Sequence, residues 1–137
     1  MIRQLCYLST MSKGLDGTGL ARVTSGALRF NETMQITSLL AFGGDMFFQV
    51  IEGPRDNVAA AFARICRDPR HHSFRLLQDE AVAGRDFEFC PLVVRTLDTS
   101  AIAGLDGLVS ASAIPAIIAG IVSPFGSTLL KQMAKAA

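Results

Sequence analysis

A glutamine, Gln49, interrupts the strongly apolar segment 46–51 (MFFQVI), which has the composition of a buried strand. Its side chain carries two N–H donors and two acceptor lone pairs, so burying it without partners costs about 1–3 kcal/mol. The simplest reason to keep such an amide in a core is a polar ligand on that face of the sheet. A phenol is available for the same site, because Tyr7 lies in a second apolar run, 2–8.

The alternation of side chains along a strand determines which residues share a face of the sheet with Tyr7 and with Gln49. Successive side chains of a strand point to opposite faces, so Tyr7 shares its face with Leu5 and Ser9, and Gln49 lies on a face with Phe47. The residues that point the other way are also apolar: Cys6, Leu8, Phe48 and Val50. Near-continuous hydrophobic strands usually require cover on both faces. We therefore expect helices on the Tyr7 face and a second layer on the opposite face.

The elements that must position these side chains follow in a regular order. Apolar runs bounded by turn residues predict strands at 2–8, 35–42, 46–51, 74–82 and 87–97. Helical spacing predicts a first helix at about 20–30, with Asn31 near its C-terminal end, and a second helix from Pro54 that ends at Asp68. The three-residue connection 43–45 (GGD) is typical of a hairpin. This order predicts a ferredoxin-like α+β sandwich (βαββαββ), with two helices on one face of a mixed sheet.

The C-terminal segment can cover the other face. We divide the chain into a domain at 1–97 and a helical extension at 98–137, which is rich in Ala, Ile, Val and Leu and broken by Pro115 and Pro124. Because 107–125 contains no charged residue, a membrane-spanning helix is an alternative. The prolines and the Ser and Gly residues instead favour helices that pack on the sheet and leave an apolar patch for a partner.

Composition narrows the class of protein. The chain has 137 residues, of which 50% are hydrophobic and 18% charged, as expected for a globular domain. A net charge of +1 without any block of like charge argues against a nucleic-acid partner. The three cysteines, Cys6, Cys66 and Cys90, are odd in number and form neither a CxxC motif nor a Cys/His cluster. With no signal peptide, they indicate reduced thiols in the cytoplasm, and we expect all three to be small buried hydrophobic residues without a redox or metal role.

Four short segments of the sequence form a pattern that is more specific than the composition. They are 5–9 (LCYLS), Asn31 followed by 36–40 (ITSLL), 47–53 (FFQVIEG) and 65–71 (ICRDPRH). Each segment alone is a weak signal, but four in this order are specific. Together they resemble the BLUF family, flavin-binding sensors of blue light, and the resemblance extends over about residues 2–95.

The resemblance implies a cofactor and a set of roles. It implies that FAD lies with its ring between the two helices, over the sheet face that carries Tyr7 and Gln49. In the family, the tyrosine donates an electron and a proton to the excited flavin, and the glutamine rearranges or tautomerises, which changes a hydrogen bond to the flavin carbonyl. Asn31 matches an asparagine that bonds the ring, and Ser9 matches a residue that supports the network. Positions near the ribityl and phosphate groups are matched by Arg64, Asp68 and His71.

Purely structural roles, without any contact to a ligand, are alternatives for the same residues. Tyr7 could be a core tyrosine with a satisfied hydroxyl, and Asn31 a left-handed helix C-cap. Arg64 and His71 could be solvated side chains on a helix face and a loop. Phe30 offers either a stacking surface for the flavin or a core aromatic.

The chain also departs from the family pattern. Cys90 and Leu92 stand where the family usually has a tryptophan and then a methionine, so the route of the signal through the fifth strand is open. Ser38 stands where glycine is common, and its Cβ could crowd a close strand approach.

Taken together, these features predict a photochemical switch and not an enzyme. We expect the switch to signal to a separate partner or through self-assembly as a homo-oligomer. One alternative is a flavin-binding or protein-interaction module of the same fold without photochemistry. The other is an acylphosphatase-like hydrolase, which is disfavoured because loop 12–17 lacks the arginine of a phosphate cradle.

Overall fold

Strands and helices follow one another in the predicted order. The computed structural model describes residues 1–105 and 107–123. The strands are β1 (Ile2–Met11), β2 (Thr37–Gly43), β3 (Met46–Pro54), β4 (His71–Val82), β5 (Val93–Leu97) and β6 (Val122–Ser123). The helices are α1 (Gly17–Thr33), α2 (Arg55–Cys66) and α3 (Ile114–Ile121). Two 3-10 segments, Thr99–Gly104 and Ala111–Ala113, lie between β5 and α3.

The strands form one mixed sheet in the order β4-β1-β3-β2-β5-β6. β1 pairs antiparallel with β3 and β4, β2 pairs antiparallel with β3, and β5 runs parallel to β2. The first five strands with α1 and α2 make the ferredoxin-like α+β sandwich that the sequence predicts. The two-residue β6, which was not predicted, pairs antiparallel with β5.

Local sequence explains the turns and the helix ends. Gly43 pairs with Met46, so the predicted hairpin has a two-residue turn in which Gly44 takes a φ of 57°, a conformation that glycine adopts easily. At the start of α1, the Asp16 side chain accepts a hydrogen bond from Gly19 N at 2.8 Å, as an N-cap should. Pro54 is the N-cap residue of α2 rather than a residue of its first turn.

The fifth strand is shorter than predicted. The expected strand began at residue 87, but β5 begins at Val93, and 87–92 form turns and bends beside the sheet. Phe89 has a φ of 65°, which a strand cannot accommodate, and Pro91 has no N–H to donate to a ladder. The prediction was wrong because apolar composition does not reveal these backbone constraints.

Each face of the sheet has its own core, as the alternation predicts. α1 and α2 cover the face that carries Leu5, Tyr7 and Ile51, with Val58 and Ala61 packed against them from α2. On the opposite face the buried residues include strand side chains together with residues from the C-terminal segment: Cys6, Leu8, Phe48, Val50, Leu97, Ile102, Ile114 and Ile121. The C-terminal segment therefore covers the second face at least through α3, and 124–137 lie outside the described residues.

The uncharged C-terminal segment does not form a long apolar helix where the structure describes it. Its helix is α3, which has eight residues. Within 1–105 and 107–123, no helix has the length and apolar character needed to cross a membrane.

Candidate functional site

Tyr7 and Gln49 lie directly opposite one another on neighbouring strands. The β1–β3 register pairs them, so both side chains project from the same face of the sheet. Both are buried, with 1% of Tyr7 and 4% of Gln49 exposed. The Tyr7 hydroxyl donates a hydrogen bond to Gln49 Oε1. Alternation predicted the shared face, and the register adds the direct bond.

Aromatic rings enclose the phenol. The ring centroids of Phe62 and Phe74 lie 5.7 and 5.5 Å from that of Tyr7, and the His71 ring lies at 6.3 Å. Burial raises the pKa of Tyr7 well above its ordinary value, because the phenolate would be poorly solvated there. The hydroxyl therefore keeps its proton at neutral pH and remains a donor to Gln49.

Ser9 is connected to this pair through His71, whose ring lies beside that of Tyr7. The Ser9 hydroxyl lies 2.8 Å from His71 Nδ1, and both residues are buried. Burial lowers the pKa of His71, although the nearby Asp68 carboxylate acts in the opposite direction. A neutral imidazole with one nitrogen fixed by Ser9 follows, and it packs edge-on against Phe47 at 5.2 Å between centroids.

A cleft between α1, α2 and the sheet collects most of the predicted site residues. It is narrow, with a cavity volume of about 30 Å³. Small side chains, Ala27 on α1 and Ala61 on α2, face it and leave room between the helices. The residues that line it are Tyr7, Val23, Ala27, Phe30, Asn31, Leu40, Phe47, Gln49, Ala61, Arg64, Ile65, Asp68 and His71. Such a mixture of apolar walls and a few convergent polar groups is typical of a small-molecule site.

Asn31 forms one polar corner of the cleft. It lies in the last turn of α1 and is 4% exposed, so it is a helical residue and not the left-handed cap considered above. Its Nδ2 donates to Ser38 Oγ at 3.0 Å and to the Pro91 carbonyl at 2.8 Å. Nδ2 thus faces two acceptors, and Oδ1 is the atom that remains to accept a hydrogen bond from a ligand.

Charged side chains mark the outer part of the cleft. The Arg64 guanidinium lies 5.0 Å from the centroid of the Phe30 ring, a cation–π arrangement that brings α2 against α1. Asp68 accepts hydrogen bonds from Arg70 Nε at 2.9 Å and from its NH2 group at 2.8 Å. Burial opposes ionisation of Asp68, but the bonds from Arg70 outweigh it and hold the pKa of the carboxyl below its ordinary value. Arg64 thus remains available to a ligand, while Asp68 is engaged by Arg70.

The predicted residues are therefore placed together with one exception. Tyr7, Asn31, Gln49, Arg64, Asp68 and His71 all line the cleft, whereas Ser9 supports it through His71. Sequence reasoning missed Arg70 as the partner of Asp68 and Phe74 as a neighbour of Tyr7. The Asp-Pro-Arg spacing could have indicated the first, since an Asp often bonds the residue two positions later.

The Cys90 and Leu92 positions lie beside this site and not in its wall. Leu92 packs against a cluster formed by Leu40, Phe42 and Phe47. Cys90 is half-buried, and its carbonyl accepts a hydrogen bond from the Ser38 backbone at 3.1 Å. The main chain at these positions is thus tied to β2, whichever side chains they carry.

Comparison with known proteins decides the family. The family model described as "Sensors of blue-light using FAD", BLUF, matches residues 2–91. The chain belongs to the BLUF family. This BLUF chain is 36% identical over 86 residues to the blue light- and temperature-regulated antirepressor BluF of Escherichia coli strain K12, a match that covers 62% of this chain and 21% of BluF. It thus spans about a fifth of that relative's length.

Solved structures support the fold of the BLUF domain. The ground-state structure of BlsA superposes with a TM-score of 0.73 at 20% identity and covers 87% of this chain and 86% of BlsA. The dark-state structure of BlrB, titled a BLUF protein, gives a TM-score of 0.72 at 23% identity over 85% of this chain and 91% of BlrB. At these identities the likeness concerns the architecture.

A flavin suits the donors and acceptors of the cleft. BLUF domains bind flavin, and the cleft offers an aromatic wall, the Asn31 oxygen, the Gln49 amide and the Arg64 cation to such a ligand. Membership of a family of light sensors agrees with a switch rather than an enzyme. Among the described residues, no group of His, Cys, Asp and Glu side chains could hold a metal ion.

Proposed function

We propose that this BLUF domain is a blue-light photoreceptor that binds FAD in the cleft between α1 and α2. The observation that carries the proposal is the buried hydrogen bond from Tyr7 to Gln49 in the wall of that cleft. An amide and a protonated phenol, both excluded from water, form a pair whose hydrogen bonding can change without net chemistry. A purely structural tyrosine would not need a glutamine as its partner in an apolar strand.

The cleft residues would hold different parts of the cofactor. Asn31 Oδ1 would accept from an N–H at the polar edge of the ring, because Nδ2 already faces the Ser38 hydroxyl and the Pro91 carbonyl. Arg64 would supply positive charge to the phosphates, and His71 and Asp68 would lie on the ribityl side. The family model names FAD, and we extend that identity to this chain. Release of the cofactor by heat and its separation from FMN by chromatography tests this choice.

Tyr7 and Gln49 would carry the switch. A bound flavin supplies the light absorption and, when excited, a strong oxidant for a nearby phenol. Tyr7 holds its proton in the dark, because burial raises its pKa, and directs it to Gln49 Oε1. While that bond exists, it fixes which end of the amide faces Tyr7. When the bond is lost, the amide can exchange its donor and acceptor ends at little steric cost, and the hydrogen bond that it offers to the cleft changes.

The output would leave through the surface of the protein. We infer that residues 98–137 form an extension of the light-sensing domain at 1–97, and that its contacts with a separate signalling protein or a second copy respond to light. The packing of α3 on the back of the sheet supports this route, since the same sheet carries Tyr7 and Gln49 on its other face. The reduced cysteines suit a cytoplasmic protein.

Absorption spectroscopy tests the proposal directly. Purified protein should show flavin bands, and illumination with blue light should shift them to the red. Tyr7→Phe removes only the hydroxyl and should keep the bands but lose the shift. Thr24→Val removes another buried hydroxyl, one that bonds the main chain of its own helix, and should behave as wild type.

Two results would contradict the proposal. A colourless protein that takes up no added flavin would leave an interaction module without a cofactor. Flavin bands that do not respond to light would reduce the domain to a flavin-binding module.

A further inference from the structure

Two buried side chains converge on one backbone carbonyl near the cleft. Asn31 Nδ2 donates to the Pro91 carbonyl at 2.8 Å, and Ser38 Oγ donates to the same oxygen at 3.0 Å. Asn31 Nδ2 also donates to Ser38 Oγ at 3.0 Å, so the three groups form a closed hydrogen-bonded triangle. Ser38 is fully buried and Asn31 is 4% exposed. Buried side-chain bonds of this kind order the groups that they join more strongly than exposed ones.

The triangle holds one end of the connection between β4 and β5. At the other end, Glu52 accepts hydrogen bonds from the backbone N–H groups of Asp86 and Phe87 at 2.8 and 2.6 Å. Between the two anchors, Phe89 has a φ of 65° and is 89% exposed. The connection is therefore held near its two ends, and the end at Pro91 is the one tied to a residue that lines the cleft.

That end leads directly into β5. Val93 is the first residue of β5 and pairs with Leu39, the residue after Ser38. Leu97, at the other end of β5, belongs to the core that contains Ile114 and Ile121 of α3. A displacement of the Pro91 carbonyl can therefore reach the back of the sheet along the main chain of β5 and through the core that Leu97 shares with α3.

We propose that Ser38 is a positioning residue that, with Asn31, couples the ligand cleft to β5 through the Pro91 carbonyl. The coupling rests on the function proposed above. Asn31 lines the cleft and directs Nδ2 to the triangle. A ligand that bonds to Oδ1 would turn the rigid planar amide and so move Nδ2. The Ser38 hydroxyl accepts from that amide and donates to Pro91, so it transmits the change to the carbonyl.

Amide hydrogen exchange in the dark and under blue light tests the coupling. Ser38→Ala removes the hydroxyl but keeps the backbone bond from Ser38 to the Cys90 carbonyl, 3.1 Å long, so the β2 main chain stays anchored. Ser38→Thr keeps a hydroxyl, and Thr24→Val serves as the control for loss of a buried hydroxyl elsewhere. In wild type we expect light to change exchange at 92–97 about fivefold, the effect of one ordinary hydrogen bond on local opening.

In Ser38→Ala we expect the light-induced change at 92–97 to disappear while flavin loading and the spectral red shift remain. Ser38→Thr and Thr24→Val should retain the change. If alanine prevents folding, Ser38→Gly provides a second variant without the hydroxyl.

The coupling is refuted if Ser38→Ala keeps the wild-type ratio of light to dark exchange, including the case in which exchange rises equally in both states. Equal loss in Ser38→Ala and Thr24→Val would also overturn it. A red shift in wild type without any exchange change at 92–97 would remove the coupling and leave the photoreceptor intact. A colourless wild-type protein would remove both.

Discussion

Replacing Glu52 by glutamine should destabilise the folded domain, because this side chain is a buried acceptor for four donors. Glu52 is fully buried in β3. Its Oε1 accepts from Thr37 Oγ1 at 2.8 Å and from Phe87 N at 2.6 Å, and its Oε2 accepts from Gln4 Nε2 at 3.1 Å and from Asp86 N at 2.8 Å. Glutamine has the same shape but replaces one oxygen by an NH2 group, so two of the four donors then face a donor.

The expected loss of unfolding free energy depends on which of the two carboxylate oxygens of Glu52 is replaced by the NH2 group. The Thr37 hydroxyl can turn and accept, so the new NH2 group is tolerated best at the Oε1 end, where it still orphans Phe87 N. At the Oε2 end adaptation is harder, because the Gln4 oxygen already accepts from Gln78 Nε2 at 2.7 Å and cannot turn freely. One or two lost bonds and one orphaned N–H amount to about 2–4 kcal/mol of unfolding free energy. That is a large share of the roughly 5–15 kcal/mol typical of a domain.

Urea unfolding of wild type, Glu52→Gln and Glu80→Gln measures this difference. Glu80 is exposed on β4 and serves as the matched control, with an expected change within about 0.5 kcal/mol. Glu52→Gln should also speed amide exchange at Asp86 and Phe87 more than elsewhere. A loss of stability no larger than that of the control would refute the reasoning, since it would mean that the four contacts contribute nothing net.

Three further outcomes are expected. Because burial lowers the pKa of His71, the unfolded state binds more protons at acidic pH, so the urea midpoint of wild type should fall as the pH drops from about 7 to about 5. His71→Gln should flatten that slope, and an unchanged slope would exclude this histidine as its source. Gly43→Ala places a Cβ against the main chain of β5 and should cost about 1–3 kcal/mol, whereas Gly84→Ala, with nothing within 4 Å, should be near neutral in thermal unfolding. Cys66 is exposed, so the expectation of a buried thiol was wrong there. In native protein, a thiol reagent should therefore modify Cys66 readily and buried Cys6 only on unfolding, since burial also raises the pKa of Cys6. Equal rates would contradict the packing of β1.

Alternation and turn signals predicted much of the fold because they are local properties of the chain. Period two placed Tyr7 and Gln49 on one face of the sheet, and the structure confirms it. The hairpin after Phe42, the position of Asn31 near the end of α1 and the covered second face are also as predicted. The hairpin and the end of α1 are local in the chain, and the alternation that predicts two covered faces is read within each strand, so composition and spacing carry the information.

Sequence by itself thus determined the family, the order of the elements and the faces of the strands. Only the tertiary structure decided the pairing of Tyr7 with Gln49, which depends on the β1–β3 register. It also decided where β5 begins, because the backbone of 86–91 is bonded by Glu52, Ser38 and Asn31 instead of joining the sheet. These partners lie tens of residues apart in the chain. The chemistry of a polar side chain shows that it needs a hydrogen-bond partner when buried, but tertiary packing determines which residue that partner is.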